Sequence, residues 1–225
     1  MHLPDDVAVE ATAPDGAVVT YEASATDKAG GSVAVACNLE SGSTFQLGTT
    51  RVWCSASDAN GTATGSFLVT VQDTTPPTVV YGPHPATYAV DETVSIRCTA
   101  SDAVGVIVST CADVDAWAWT FGLGPTTLTA EATDGAGNAS RASTSFEVVA
   151  TYPSMTSLTN GWVQKAGTAA QLATYLEAAA RAEARGNLKA EAGNLDSYRT
   201  LLGAQAGKAI SQEDAATLIT LSAGL

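Results

Sequence analysis

The sequence is poor in positive charge, with ten Lys and Arg against 23 Asp and Glu and a formal net charge of −13. Phosphate recognition needs clustered cations, so no nucleic-acid partner is expected and an anionic membrane surface is disfavoured. Histidine is scarcer still, with only His2 and His84. Neither lies near a GxSxG or another nucleophile motif, and no catalytic residue is nominated. The GLG at Gly122 to Gly124 lacks the lysine and the strand-to-helix setting of a phosphate loop. Apolar runs never approach the ~20 residues of a membrane-spanning helix, and no membrane insertion is expected. The opening MHLPDDVAVEAT has neither a basic n-region nor an apolar h-region. Either the protein stays in the cytoplasm or the chain is a fragment of a larger precursor, and the cysteine usage favours the fragment. The four cysteines contain no CxxC pair, which removes the usual zinc spacing.

What the sequence does contain is folded material and repetition. Hydrophobic residues make up 45% and charged residues 15%, a balance found in globular domains. One six-residue pattern occurs four times: ATDKAG from Ala25, ASDANG from Ala56, ASDAVG from Ala100 and ATDGAG from Ala132. The pair Asp27 and Asp58 returns as Asp102 and Asp134 about 75 residues later, which marks a tandem repeat. FQLGTTRVWCSASD from Phe45 aligns without a gap on FGLGPTTLTAEATD from Phe121.

Period-two alternation and β-branched residues mark strands at Val18 to Ser24, Thr50 to Cys54, Ser66 to Val71 and Thr93 to Cys98. Short strands punctuated by glycine turns imply antiparallel sandwiches in the immunoglobulin style. DTTPP from Asp73 reads as the linker, because its prolines stiffen the chain and cannot donate to a sheet. After Thr151-Tyr152-Pro153 the texture becomes alanine-rich at helical period. Thr168 is the expected cap of a helix ending at Gly186, a second helix spans about Leu188 to Ala206, and Ser211-Gln212-Glu213-Asp214 opens a third. The expected architecture is multidomain β + α: a sandwich over 1–73, another over 74–150 and a helical bundle over 151–225. The negative charge belongs to the β part. Residues 1–150 hold four basic and 17 acidic side chains, a balance of −13, whereas 151–225 hold six of each.

Residues 7 to 73, with VTYEASATDKAGG and SGSTFQLGTTRVWCSASDANGTATGSFLVTVQD, resemble the hyalin repeat or HYR domain, an immunoglobulin-like module of extracellular proteins. Residues 78 to 150, with CTASDAVG and EATDGAGNAS, resemble bacterial Ig-like repeats that follow a DTTPP linker. The tail, with ARGNLKAEAGNLDSYRTLLGAQAGKAISQEDAATLI, resembles the FIMAH-type helical module of secreted bacterial multidomain proteins. The resemblance implies a non-catalytic adhesion or spacer region of a secreted or cell-surface protein, with a protein partner or self-association. The alternative is a carbohydrate-binding accessory to an extracellular hydrolase.

Two groups of residues are candidate sites. In an immunoglobulin sandwich, Asp102 and Asp134 would meet at the pole facing the linker and converge with Asp73 on Ca2+, while Asp27 and Asp58, with Asp5 or Asp6, would form an equivalent site. The competing reading is turn chemistry alone, with each aspartate accepting backbone N–H groups ahead of a positive-φ glycine. The second group is aromatic. Trp117 and Trp119 would share one strand face, and Trp53 points opposite Val52 and Cys54, so a glycan is the ligand they suggest. Core packing is the alternative for at least one of the pair, and Trp162 is assigned to the helical core.

Cysteines fall two per repeat, Cys37 with Cys54 and Cys98 with Cys111. Even counts in small β units point to disulfides within each copy and to an oxidising compartment. Thiol titration of native protein prepared without reductant should find no reactive thiol; four titrating thiols would remove this argument for an extracytoplasmic location.

Overall fold

A computed structural model describes all residues, Met1–Leu225. The first copy of the repeat contains β1 Val7–Glu10, β2 Ala17–Val19, β3 Ala25–Thr26, β4 Ser32–Val33, β5 Val35–Cys37, β6 Ser43–Phe45, β7 Gly48–Asp58 and β8 Gly61–Gln72. The second contains β9 Thr78–Tyr81, β10 Thr87–Ala89, β11 Thr93–Ile96, β12 Cys98–Ser101, β13 Val106–Ser109, β14 Val114–Trp117, β15 Gly124–Asp134 and β16 Ala139–Val149. Four-stranded sheets run β1-β8-β7-β5 and β10-β16-β15-β13, each with two-stranded ladders as the other layer. These are two sandwiches built on one plan, followed by helices.

In each sandwich an early strand pairs parallel with the last, β1 with β8 from Val7 beside Val69 to Glu10 beside Gln72, and β10 with β16 from Thr87 beside Glu147 to Ala89 beside Val149. The pairs β2–β6, β3–β4, β5–β7, β7–β8, β11–β14 and β13–β15 are antiparallel. The long β7–β8 hairpin shows why the sequence alternates there. Val52, Cys54 and Ala56 on β7 and Phe67, Val69 and Val71 on β8 point into the core, and their neighbours face solvent. The strand expected from Val18 to Ser24 is interrupted. It pairs with β6 only as far as Val19; then the Tyr21 amide donates to Ser41 Oγ, and Ser24 exchanges hydrogen bonds with His2. The segment changes partners along its length, from β6 to Ser41 and His2 and then, as β3, to β4.

Cys37 and Cys54 face each other in register on β5 and β7 and are disulfide-bonded. Cys98 and Cys111 are disulfide-bonded as well, and no cysteine is free. Both bridges stay within their copy. The 17-residue separation of the first pair corresponds to roughly 3 kcal/mol of stabilisation on the chain-entropy account.

Four helices follow: α1 Tyr152–Trp162, α2 Ala166–Glu183, α3 Leu188–Gln205 and α4 Gln212–Leu221. Thr151 caps α1 in a reciprocal arrangement with Ser154, Asn187 caps α3 and Ser211 caps α4. The α2 helix begins before Thr168, which sits inside its first turn with its amide already bonded to the Lys165 carbonyl. The terminus is held by backbone, and the expected hydroxyl cap is not used.

Contacts divide the chain into two compact units. The first contains Met1–Val80, Thr99–Cys111 and Ala130–Ala142; the second contains Tyr81–Cys98, Ala112–Thr129 and Ser143–Leu225. The core of the first unit is built on Val19, Phe45, Val52, Phe67, Val69 and Val71, with Val104 packed at its margin. In the second, sandwich residues Tyr88, Val90, Val94, Ile96 and Phe146 share one apolar cluster with Met155, Leu172, Leu176, Leu202 and Leu218 from the helices. Helices and sheet there bury their apolar faces against one another, so neither has a separate core.

Gly16 is the least replaceable glycine. Its φ is +113°, and a Cβ would lie 1.8 Å from the Phe45 carbonyl oxygen, so both conformation and space forbid a side chain. Gly16→Ala should destabilise the first sandwich by more than about 2 kcal/mol in a denaturant titration; an unchanged midpoint would contradict this packing.

Candidate functional site

The four aspartate turns share their local chemistry. Asp27 Oδ1 accepts from the amides of Ala29 and Gly31, Asp58 Oδ1 from Asn60 and Gly61, Asp102 Oδ1 from Val104 and Gly105, and Asp134 Oδ1 from Ala136 and Asn138. Gly30, Gly61, Gly105 and Gly137 all have positive φ, between 88° and 143°. Each carboxylate closes its own turn, as the short-range chemistry of aspartate and glycine requires. The four differ in what surrounds the remaining oxygen.

Asp73, Asp102 and Asp134 each place a carboxylate oxygen within 4.8 Å of the others. All three lie in the first compact unit. Asp73 and Asp134 are buried, with 8% and 4% of their surface exposed. Asp73 Oδ1 has only a long 3.3 Å bond from the Thr75 amide, and its Oδ2 is buried without a hydrogen-bond partner. Burial pushes the Asp73 carboxyl up from its ordinary value, against the Thr75 bond and with help from the charges of Asp134, Asp102 and Glu10. Burial acts the same way on Asp134, yet the Asn138 side chain and amide, with the amides of Ala136 and Gly137, outweigh it and hold that carboxyl low.

Two residues that sequence reasoning missed complete this end of the fold. Glu10, at the end of β1, grips the linker: Oε1 accepts from the Thr74 amide and the Thr75 hydroxyl, and Oε2 from the Thr74 hydroxyl. These bonds lower the Glu10 carboxyl below its usual range, the Thr74 amide contributing most. Asn138 Nδ2 donates to the Asp73 carbonyl at 3.0 Å and to Asp134 Oδ2 at 2.9 Å. A sequence signal for Asn138 exists. The two turn motifs align without a gap, and after the turn glycine the second copy has Asn138 where the first has Thr62; in the structure β16 starts only at Ala139, so Asn138 stays in the turn beside its own aspartate.

Asp27 and Asp58 line one recess of about 250 Å3, which also contains Lys28 and Asn60. No third acid joins them within ligand distance. Asp6 is engaged elsewhere, accepting from the Leu68 amide.

The tryptophans separate. Trp53 is 58% exposed on β7, with the Arg51 guanidinium 5.5 Å from its ring centre, a cation–π contact that takes one ring face. Trp117 ends β14 and is 53% exposed. The expectation that Trp117 and Trp119 share a face is corrected. A 3-10 turn over Ala118–Phe121 follows β14, and Trp119 packs edge-on against Trp162 at 5.2 Å. Three residues per turn replace the strand's alternation there and rotate the second ring inward.

His84 Nε2 is 2.6 Å from the Thr144 hydroxyl and its Nδ1 2.8 Å from the Pro85 carbonyl. Nδ1–H donates to that carbonyl, so Nε2 accepts from Thr144. The imidazole is oriented by backbone, without the carboxylate that stabilises an imidazolium in a hydrolytic triad. Asp113 is paired with exposed Arg97 at 2.5 Å and accepts from the Cys98 amide.

Comparison with known proteins agrees with the sequence motifs at both ends. The HYR domain model matches residues 6–71, and the FIMAH domain model matches residues 157–225. The chain carries an HYR domain and a C-terminal FIMAH domain. Among curated proteins no sequence matches. Solved structures with partial likeness include the titin z1z2 domains in complex with telethonin, at 15% identity over 67% of this chain and 95% of that one, TM-score 0.35. The fibronectin(III)-like modules of Clostridium thermocellum CbhA match at 18% identity over 65% and 90%, TM-score 0.27. PcdhgB3 EC1-4 matches at 13% identity over 65% of this chain, TM-score 0.29; the chain spans only 48% of its length. At these identities and scores they carry no functional argument. The HYR domain is an adhesion-type extracellular module, and no helix is long and apolar enough to cross a membrane.

Because its folded carboxyl is lowered, Glu10 contributes stability that is complete above the ordinary Glu value of ~4.3 and is lost as pH falls through the depressed value. Glu10→Gln should therefore lower the melting temperature at neutral pH, and the gap from wild type should close on acidification; a gap that is constant with pH would contradict the ionic grip on the linker.

Proposed function

We propose that the chain is a non-catalytic, load-bearing spacer of a secreted or cell-surface protein, serving adhesion through a protein partner or self-association. The observation that carries this reading is the parallel pairing of β1 with β8 and of β10 with β16. A chain pulled through the two ends of such a seam moves its strands along each other in opposite senses. The backbone hydrogen bonds between them are then loaded together in shear, whereas an antiparallel hairpin pulled from its open end breaks them one at a time. The seam is flanked by further backbone bonds, Ala11 to Gln72 at 2.8 Å in the first copy and Val90 to Val149 at 3.0 Å in the second.

Other features support the same reading. A disulfide in each copy shortens the length that unfolding can release. The Glu10 grip on Thr74 and Thr75 and the Asn138 bond to the Asp73 carbonyl hold the linker at both its sides. The side chains best placed to suggest catalysis, His84 and Asp113, are engaged with Thr144 and Arg97.

Single-molecule pulling of the full chain tests the proposal. The first sandwich should unfold in a discrete event, and Ala11→Pro, which deletes the donor to Gln72, should raise its unfolding rate at fixed load by about fivefold for a hydrogen bond of ~1 kcal/mol. A thermal melt run alongside establishes that the variant is folded. An unfolding rate under load that Ala11→Pro leaves unchanged in folded protein would refute the load-bearing seam.

A further inference from the structure

We propose that Asp73, Asp102, Asp134 and Asn138 form a Ca2+ site, and that the corresponding turns of the first copy form none. This goes beyond the spacer reading and does not depend on the parallel seam. Three carboxylate oxygens lie within 4.8 Å of one another, two of their residues are more than nine-tenths buried, and Asp73 Oδ2 is buried with nothing to satisfy it. An unpaired buried carboxylate beside two others is costly unless a cation joins it. Protein cations do not fill that role: Arg97 pairs with Asp113 and Arg141 with Glu131, both in exposed bridges.

Chemistry selects the ion. The donors are all oxygen and mostly anionic, without the imidazole or thiolate that zinc and copper favour. Asp102 and Asp134 each spend Oδ1 on their own turn, which leaves Asp102 Oδ2 for an external ligand, and Asp134 Oδ2 keeps a lone pair for one beside its bond from Asn138. The Asp73 backbone carbonyl belongs to the same cluster, since Asn138 Nδ2 donates both to it and to Asp134 Oδ2. A half-turn of that amide exchanges Nδ2 for Oδ1, turning a donor that now bridges two acceptors into one more ligand. Three carboxylates, a carbonyl and an amide oxygen approach the six to eight oxygens that Ca2+ takes, with water completing the shell. Mg2+ holds its waters more tightly and demands stricter octahedral geometry, so it should bind more weakly here.

The first copy has the turns without the site. Asp27 and Asp58 face a recess that contains Lys28, and Asp6, the acid nearest in role to Asp73, is held by the Leu68 amide. At the place of Asn138 the first copy has Thr62, which lacks the amide and is hydrogen-bonded to the Ser57 hydroxyl.

Equilibrium dialysis of the full chain against 45Ca2+, with thermal melts in Ca2+ and in EDTA, tests the site. The expected result is a stoichiometry of one and a melting temperature several degrees higher in Ca2+ than in EDTA, with a smaller rise in Mg2+. Asp102→Asn should weaken Ca2+ binding by at least tenfold. Asp73→Asn should melt no lower than wild type in EDTA, where it removes the unsatisfied carboxylate, but lower than wild type in Ca2+. That reversal separates a ligand from a merely structural aspartate even if one variant folds poorly. Asp27→Asn with Asp58→Asn should leave the stoichiometry at one. Absence of bound Ca2+ at millimolar concentration, or binding that survives Asp102→Asn and disappears with the first-copy pair, would overturn the proposal.

Discussion

Parallel pairing of an early strand with the last one is the constraint on which the rest of this structure depends. Because β1 runs beside β8 in the same direction, the first sandwich is entered at one pole and left at the other. The segment after β8 therefore leaves the first sandwich at the pole opposite its entry. The same pairing in the second copy places the start of β16, and with it the turn at Asp134, at the pole where that copy is entered. Linker and turns converge for a topological reason. Asp73, Asp102 and Asp134 are far apart in sequence, and the strand directions bring them together.

Two copies of one plan have been completed differently. The first closes its core within its own strands, around Phe45, Val52, Phe67 and Val69. The second draws on the helices, with Val90, Ile96 and Phe146 in one cluster with Met155, Leu172 and Leu218. A sandwich of this size buries a marginal apolar area by itself. In the first copy a cross-strand disulfide adds stability; in the second, the bundle supplies apolar surface as well. Removing the helices would leave the second core open to water.

Charge follows the same division. The acidic excess is confined to the β part, and four of its aspartates, Asp27, Asp58, Asp102 and Asp134, are hydrogen-bonded locally by their own turn amides. Local satisfaction fails at Asp73 because the prolines that follow it remove backbone donors, while burial removes water. The linker thus carries the one carboxylate oxygen that is buried without a hydrogen-bond partner.

Much of this was legible in the amino-acid order, because it is governed by neighbours. The duplication, the turn chemistry of the four aspartates, the pairing of cysteines within copies and the caps of α1-to-α4 type helices at Ser211 and Gly186 are short-range matters, set by propensity, spacing and φ. Other features required the folded chain. The 3-10 turn after Trp117 sent Trp119 inward to Trp162, the change of partner after Val19 broke an expected strand, and Glu10 and Asn138 found partners more than 60 residues away. Four similar aspartate turns became unequal for the same reason: a sequence fixes the oxygen that a carboxylate gives to its own loop, but only the packing of distant segments decides whether its second oxygen meets water, a lysine or other carboxylates.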